Sequence, residues 1–237
     1  MGAAAGPSGI NSALLGRTFT GSIPVDGFQL PLPPGEWAML ANGTVRNIEA
    51  NATGRAYFLG RIEHRRLMGV VDVTTLKSTA QPGTGFTLKN CTIPNPNLNY
   101  LSVQALTPQD HQGCWMISHA FTPMMLQWAD RTIPMPGLLR AAAGDLTAKG
   151  VSVPQDFVTV RFLRAEKWGL LDVSYWFNPE TDSITSNRAL TYRESDWQPG
   201  SIHRFPDKLA YVERIKQWGS VFHERFERAF VAGHTAP

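Results

Sequence analysis

Ala56-Tyr57-Phe58-Leu59-Gly60-Arg61-Ile62-Glu63-His64-Arg65-Arg66-Leu67-Met68-Gly69-Val70-Val71-Asp72-Val73-Thr74-Thr75 reads as two alternating arms joined by a charged tip. In the first arm, residues 56–63, Ala56, Phe58 and Ile62 share one face, and Arg61 and Glu63 share the other. In the second arm, residues 67–75, Leu67, Val71 and Val73 stand against Asp72 and Thr74. A period of two over this length predicts a half-buried antiparallel hairpin with Glu63-His64-Arg65-Arg66 at its tip.

The same alternation recurs outward from the hairpin. Pro34-Gly35 is a turn signal leading into a strand at about 36–41. Further strands are predicted over 98–105, 114–121, 158–162 and 171–177, while 78–97 and 178–205 read as irregular. Trp176 points opposite Tyr175 on its strand, so one of the two needs a cover beyond the sheet's packed face. Two segments carry helical spacing. In 136–149, Pro136 suits the first turn, Leu139, Ala142 and Leu146 form a stripe, and Gly150 stops it. From Asp207, taken as the N-cap, Leu209, Val212, Ile215, Phe222, Phe226 and Ala229 recur on one face. The expected class is α+β: a twisted, mainly antiparallel sheet of roughly six to eight strands with both helices packed on one face. Residues 1–16 are expected to be a flexible arm and 17–233 a single domain.

Composition narrows the function. The chain has 237 residues, 43% hydrophobic and 17% charged, enough to build a full core. Net charge is +3 with scattered basic residues, so nucleic-acid binding is not expected. No apolar run approaches the ~20 residues that span a bilayer, which leaves peripheral membrane association open. The start lacks the basic and apolar regions of a leader peptide.

Cys91 and Cys114 stand 23 positions apart. One structural disulfide is the simplest reading, against unpaired buried thiols, and it implies an oxidising compartment. Redox pairs sit closer together, and metal sites need more ligands nearby. The six histidines make no local metal clamp, so neither a metal nor a cofactor is expected. Nucleophile-elbow, P-loop and dinucleotide motifs are absent, and no residue is assigned a catalytic role. His119 shares a strand face with Trp115 and is read as a hydrogen-bonded histidine at the core edge ahead of a functional one. Trp115, His119, Trp197 and His203 are the candidates for a pocket. Arg61, His64, Arg65 and Arg66 are the candidates for contact with a partner or anion, set against an ordinary solvated tip.

Leu32-Pro33-Pro34-Gly35-Glu36-Trp37, then Cys91, then Cys114-Trp115 with His119, then the C-terminal amphipathic helix, resemble a loosely defined group of exported proteobacterial proteins. That resemblance implies export and a disulfide and no particular reaction. The leading expectation is a non-catalytic periplasmic protein, a partner-binding module or accessory subunit, contacting its partner through the Arg61–Arg66 tip and the 178–205 segment. The alternatives are a small-ligand or lipid-binding domain, and a hydrolase built from dispersed residues such as His119 or His203 with a carboxylate.

Overall fold

In a computed structural model of the chain, residues 9–47, 52–78, 97–106, 111–122 and 136–235 are described. The hairpin forms as read: β5 (Ala52–Glu63) and β6 (Arg66–Ser78) pair antiparallel around His64 and Arg65. Both turn residues are left-handed, at φ +48° and +57°, which gives the two-residue turn that matches strand twist. Around this hairpin stand β1 (Thr18–Phe19), β4 (Trp37–Asn47), β7 (Asn99–Leu106), β8 (His111–Phe121), β9 (Asp156–Glu166) and β10 (Gly169–Phe177). Together they make an open eight-stranded antiparallel sheet in the order β1-β4-β5-β6-β10-β9-β8-β7. A separate hairpin, β2 (Ser22–Val25) with β3 (Phe28–Pro31), turns on Asp26-Gly27. The helices are α1 (Pro136–Ala148) and α2 (Pro206–Thr235). The class is therefore α+β.

The two helices lie on opposite faces of the sheet, not on one. On the first face α2 buries Tyr211, Val212, Phe222, Phe226 and Phe230 against Trp115, Ile117, Val160, Phe162, Val173 and Tyr175. The β2–β3 hairpin covers the rest of that face with Ile23, Val25, Phe28 and Leu30, and the Tyr175 hydroxyl donates to the Pro31 carbonyl at 2.9 Å. On the second face α1 buries Leu138, Leu139, Ala142 and Leu146 against Ala56, Phe58, Val70 and Trp176. Neighbours Tyr175 and Trp176 are 1% and 6% exposed, so both sides of β10 are covered. Central strands buried on both faces need a layer on each, and one helix goes to each side.

Three local departures have physical causes. The β5–β6 register shifts between Arg61 and Ile62, leaving an extra residue in β6. That bulge turns Leu67 onto the α1 face with Val70, away from Val71 and Val73. Pro206, not a residue after Asp207, opens α2. Proline loses nothing at the first helical position, and Asp207 places its charge in the first turn. Finally, α2 crosses the sheet so closely that a Cβ on Gly219 would sit 2.8 Å from Trp115 Cζ3. Residues 9–16 lie along β4, where the Gly16 amide donates to the Met39 carbonyl and the Asn11 amide to Asn42 Oδ1. No described helix is long and apolar enough to cross a membrane.

Candidate functional site

Two regions gather the residues expected to act. The first is a buried polar node under the 178–205 segment. His119 leaves β8 on the α2 face and meets Asp156 at the start of β9, Nε2 to Oδ1 2.6 Å, with both side chains fully shielded from solvent. The Ser195 hydroxyl donates to the same carboxylate oxygen at 2.8 Å, and Gln155 Nε2 donates to the other at 3.1 Å. Tyr192 stacks on the imidazole with ring centres 5.0 Å apart. Burial pushes the Asp156 carboxyl up, but His119 and then the hydroxyls of Ser186 and Ser195 outweigh it and hold it below the usual range. An ionised carboxylate only accepts, so His119 carries its proton on Nε2. Its Nδ1 is buried with no hydrogen-bond partner among the described residues.

This arrangement joins three segments, the end of β8, the start of β9 and residues 192–197. The Ser195 hydroxyl points at the carboxylate and not at the imidazole, so no serine–histidine relay is assembled. Trp197 belongs to the same node. It is fully buried, its amide donates to Ser195 Oγ at 3.1 Å, and its carbonyl accepts from the Tyr100 hydroxyl. Trp115 packs between Phe162 and His223, and His203 is exposed on a short 3-10 turn. The structure thus brings His119 and Trp197 together and leaves Trp115 and His203 apart from them.

The second region is the corner at the β5–β6 tip. Arg66 Nη2 pairs with Glu180 Oε2 at 2.8 Å, which joins the tip to the 178–205 segment across 114 positions of sequence. Asn178 Nδ2 donates to the Leu67 carbonyl at 2.9 Å, and Ser152 N donates to the Arg65 carbonyl at 2.8 Å, so the tip backbone is held from two sides. Arg61 pairs with Glu63 at 2.7 Å and donates to the Pro34 carbonyl at 3.2 Å. The Leu32–Trp37 segment is itself a closed turn, with the Trp37 indole donating to the Pro33 carbonyl at 2.9 Å. His64 and Arg65 are exposed.

Sequence reading missed a polar row on the α1 face. Asp72, Ser174 and Arg161 stand in register across β6, β10 and β9. Arg161 turns to the diagonal Asp172, Nε to Oδ1 2.8 Å, and the Asp172 charge raises its affinity for the proton. Desolvation, then the Asp172 charge, push the Asp72 carboxyl up to about 7 against the pull of Arg161. Asp156, Tyr192 and Ser195 were missed as well. Tyr192 and Ser195 sit in the segment read as irregular, Asp156 sits just before the strand read from Val158, and nothing local marks them. Cys114 is buried on the α1 face of β8, and Cys91 lies outside the described residues, as does the link between them. Among the described residues no group of three His, Cys, Asp or Glu side chains is placed to hold a metal ion.

No protein-family model matches the chain, and no curated protein or solved structure is significantly similar to it.

Proposed function

We propose that the chain is a non-catalytic accessory subunit of a complex in the cell envelope, binding a partner protein through the corner where the β5–β6 tip meets the 178–205 segment. The observation that supports it most is the Arg66–Glu180 pair, which makes one surface of two separately expected contact regions. The surface is firmly held, exposed and mildly cationic, suited to an acidic patch. The buried node, by contrast, spends its histidine, carboxylate and hydroxyl on one another. The test is co-purification from envelope extract of the organism that makes the chain. The Arg65→Glu/Arg66→Glu variant is expected to lose a partner that the unsubstituted chain retains, and the retained partner to be released between about 50 and 300 mM salt as screening grows. A chain that runs strictly as a monomer from that extract would overturn the reading.

The envelope location rests on Cys114 pairing with Cys91, a link that would add about 3 kcal/mol by loop entropy. In natively isolated protein, neither thiol is expected to take up a maleimide until reductant is added. Free labelling of both would remove the location. A small-ligand role is a second reading, favoured by a cleft of about 380 Å³ between β4, α1 and residues 10–16, lined by Ile10, Leu15, Met39, Leu40, Ala141 and Lys149. Native mass spectrometry without a bound small molecule would end it.

A further inference from the structure

At the far end of the β5–β6 hairpin, about 30 Å from the tip at roughly 3.3 Å per residue, the α2 face of the sheet carries a second cationic group. Arg46, Thr53 and Lys77 stand directly opposite one another across β4, β5 and β6, and Thr44 and Arg55 form the next row. Three cations thus sit on three neighbouring strands and one face, interleaved with threonines. With the Asp26-Gly27 turn of the β2–β3 hairpin as a wall, they line an open hollow of about 700 Å³.

The hollow is a built feature. A Cβ on Gly54 would lie 1.9 Å from the Thr75 carbonyl oxygen, so only glycine lets β6 approach this closely. There the Arg55 amide donates to Thr75 Oγ1 at 3.1 Å. The Arg55 guanidinium is then held by neutral acceptors, the Gly9 carbonyl at 3.2 Å and Asn42 Oδ1 at 3.3 Å. No carboxylate among the described residues pairs with it. Arg46 draws no hydrogen bond or ion pair among the described residues, and Lys77 meets only the Phe28 ring, 5.9 Å from its centre. Among the described residues the lining has one carboxylate, Asp26, which accepts from the Thr75 hydroxyl, so the described lining carries net +2. Like charges crowded on one sheet face repel each other, and an oxyanion between them removes that repulsion. Arginine forks and threonine hydroxyls are donors suited to phosphoryl oxygens.

We infer that this hollow is a binding site for a phosphoryl group, carried either by a small soluble phosphate ester or by a lipid headgroup. The site stands apart from the partner-binding corner and does not depend on it. Full-length protein is titrated calorimetrically with inorganic phosphate and with glycerol 3-phosphate, and separately sedimented with phosphatidylglycerol or phosphatidylcholine vesicles. Arg46→Ala and Lys77→Ala are each expected to weaken binding at least about ten-fold, with the melting temperature of Arg46→Ala unchanged because the side chain is exposed. Arg140→Ala, exposed on α1 at the other face, is expected to bind as the unsubstituted chain does. Saturable binding of the soluble phosphates assigns a soluble ligand. Binding confined to phosphatidylglycerol vesicles, with the same sensitivity, assigns the headgroup. Binding in neither arm, or binding untouched by Arg46→Ala and Lys77→Ala, overturns the inference.

Discussion

Asp156 takes a hydrogen bond from an imidazole, a hydroxyl and an amide inside a site closed to solvent. Removing the charge leaves His119 facing a group that no longer matches it, and a hydrogen bond to a charged group is worth about 1.5–3 kcal/mol. Asp156→Asn is expected to lose stability of that order at pH 7, read by chemical denaturation. The folded carboxyl titrates below the unfolded one. Its stabilisation is therefore complete above the unfolded value near 3.9 and fades as pH falls through the lower folded value, where the two proteins should converge. Asp72 has the opposite sign. Its folded carboxyl titrates at about 7, above the unfolded one, so folding favours the proton. Stability is lost as pH rises from about 4 to about 7. Asp72→Asn is expected to match the unsubstituted protein at pH 4 and to exceed it at pH 8, on the order of 2 kcal/mol after discounting for a side chain that is only half-buried.

Two glycines contrast an exposed helical position, Gly144 on α1, with one buried against the sheet, Gly219 on α2. Gly144 on α1 has open space where a Cβ would go, whereas on Gly219 of α2 it would run into Trp115. Gly144→Ala is expected to stabilise by about 0.5–1 kcal/mol through helix propensity. Gly219→Ala is expected to destabilise by about 1 kcal/mol or more, because overpacking at the aromatic crossing outweighs the same gain. Thermal melts of the two variants moving in the same direction would contradict this. The elements themselves were legible because period two and period 3.6 are written into the chain: the β5–β6 hairpin, β7 to β10 and both helices lie close to where alternation put them. Their packing was not. Tyr175 and Trp176 show that both sides of β10 are apolar, yet nothing in that pair says which side receives which helix. The bulge that turns Leu67 over is a backbone event with no residue signature, and the Asp26-Gly27 turn was a readable signal passed over.

At the scale of the molecule, the Asp72–Ser174–Arg161 row crosses the middle of the α1 face, and the ends of the sheet gather further charges distant in sequence. Arg66 reaches Glu180, His119 reaches Asp156, and Arg46, Arg55 and Lys77 meet only through strand register. Sequence reading could name the arginine tip because its members are contiguous. It could not find the node or the cationic hollow, whose members are brought together by folding alone. The tip is a cationic surface separate from the hollow, and its backbone is fixed against the 178–205 segment. The most direct test places a photo-crosslinking amino acid at Arg65 in the chain expressed in its own cells, with Lys149 as the control position. One dominant cross-linked protein is expected from Arg65 and none of that mass from Lys149. If illumination at Arg65 joins the chain to no other protein while the fold is intact, the corner is a solvated tip and the chain does not work by holding a partner there.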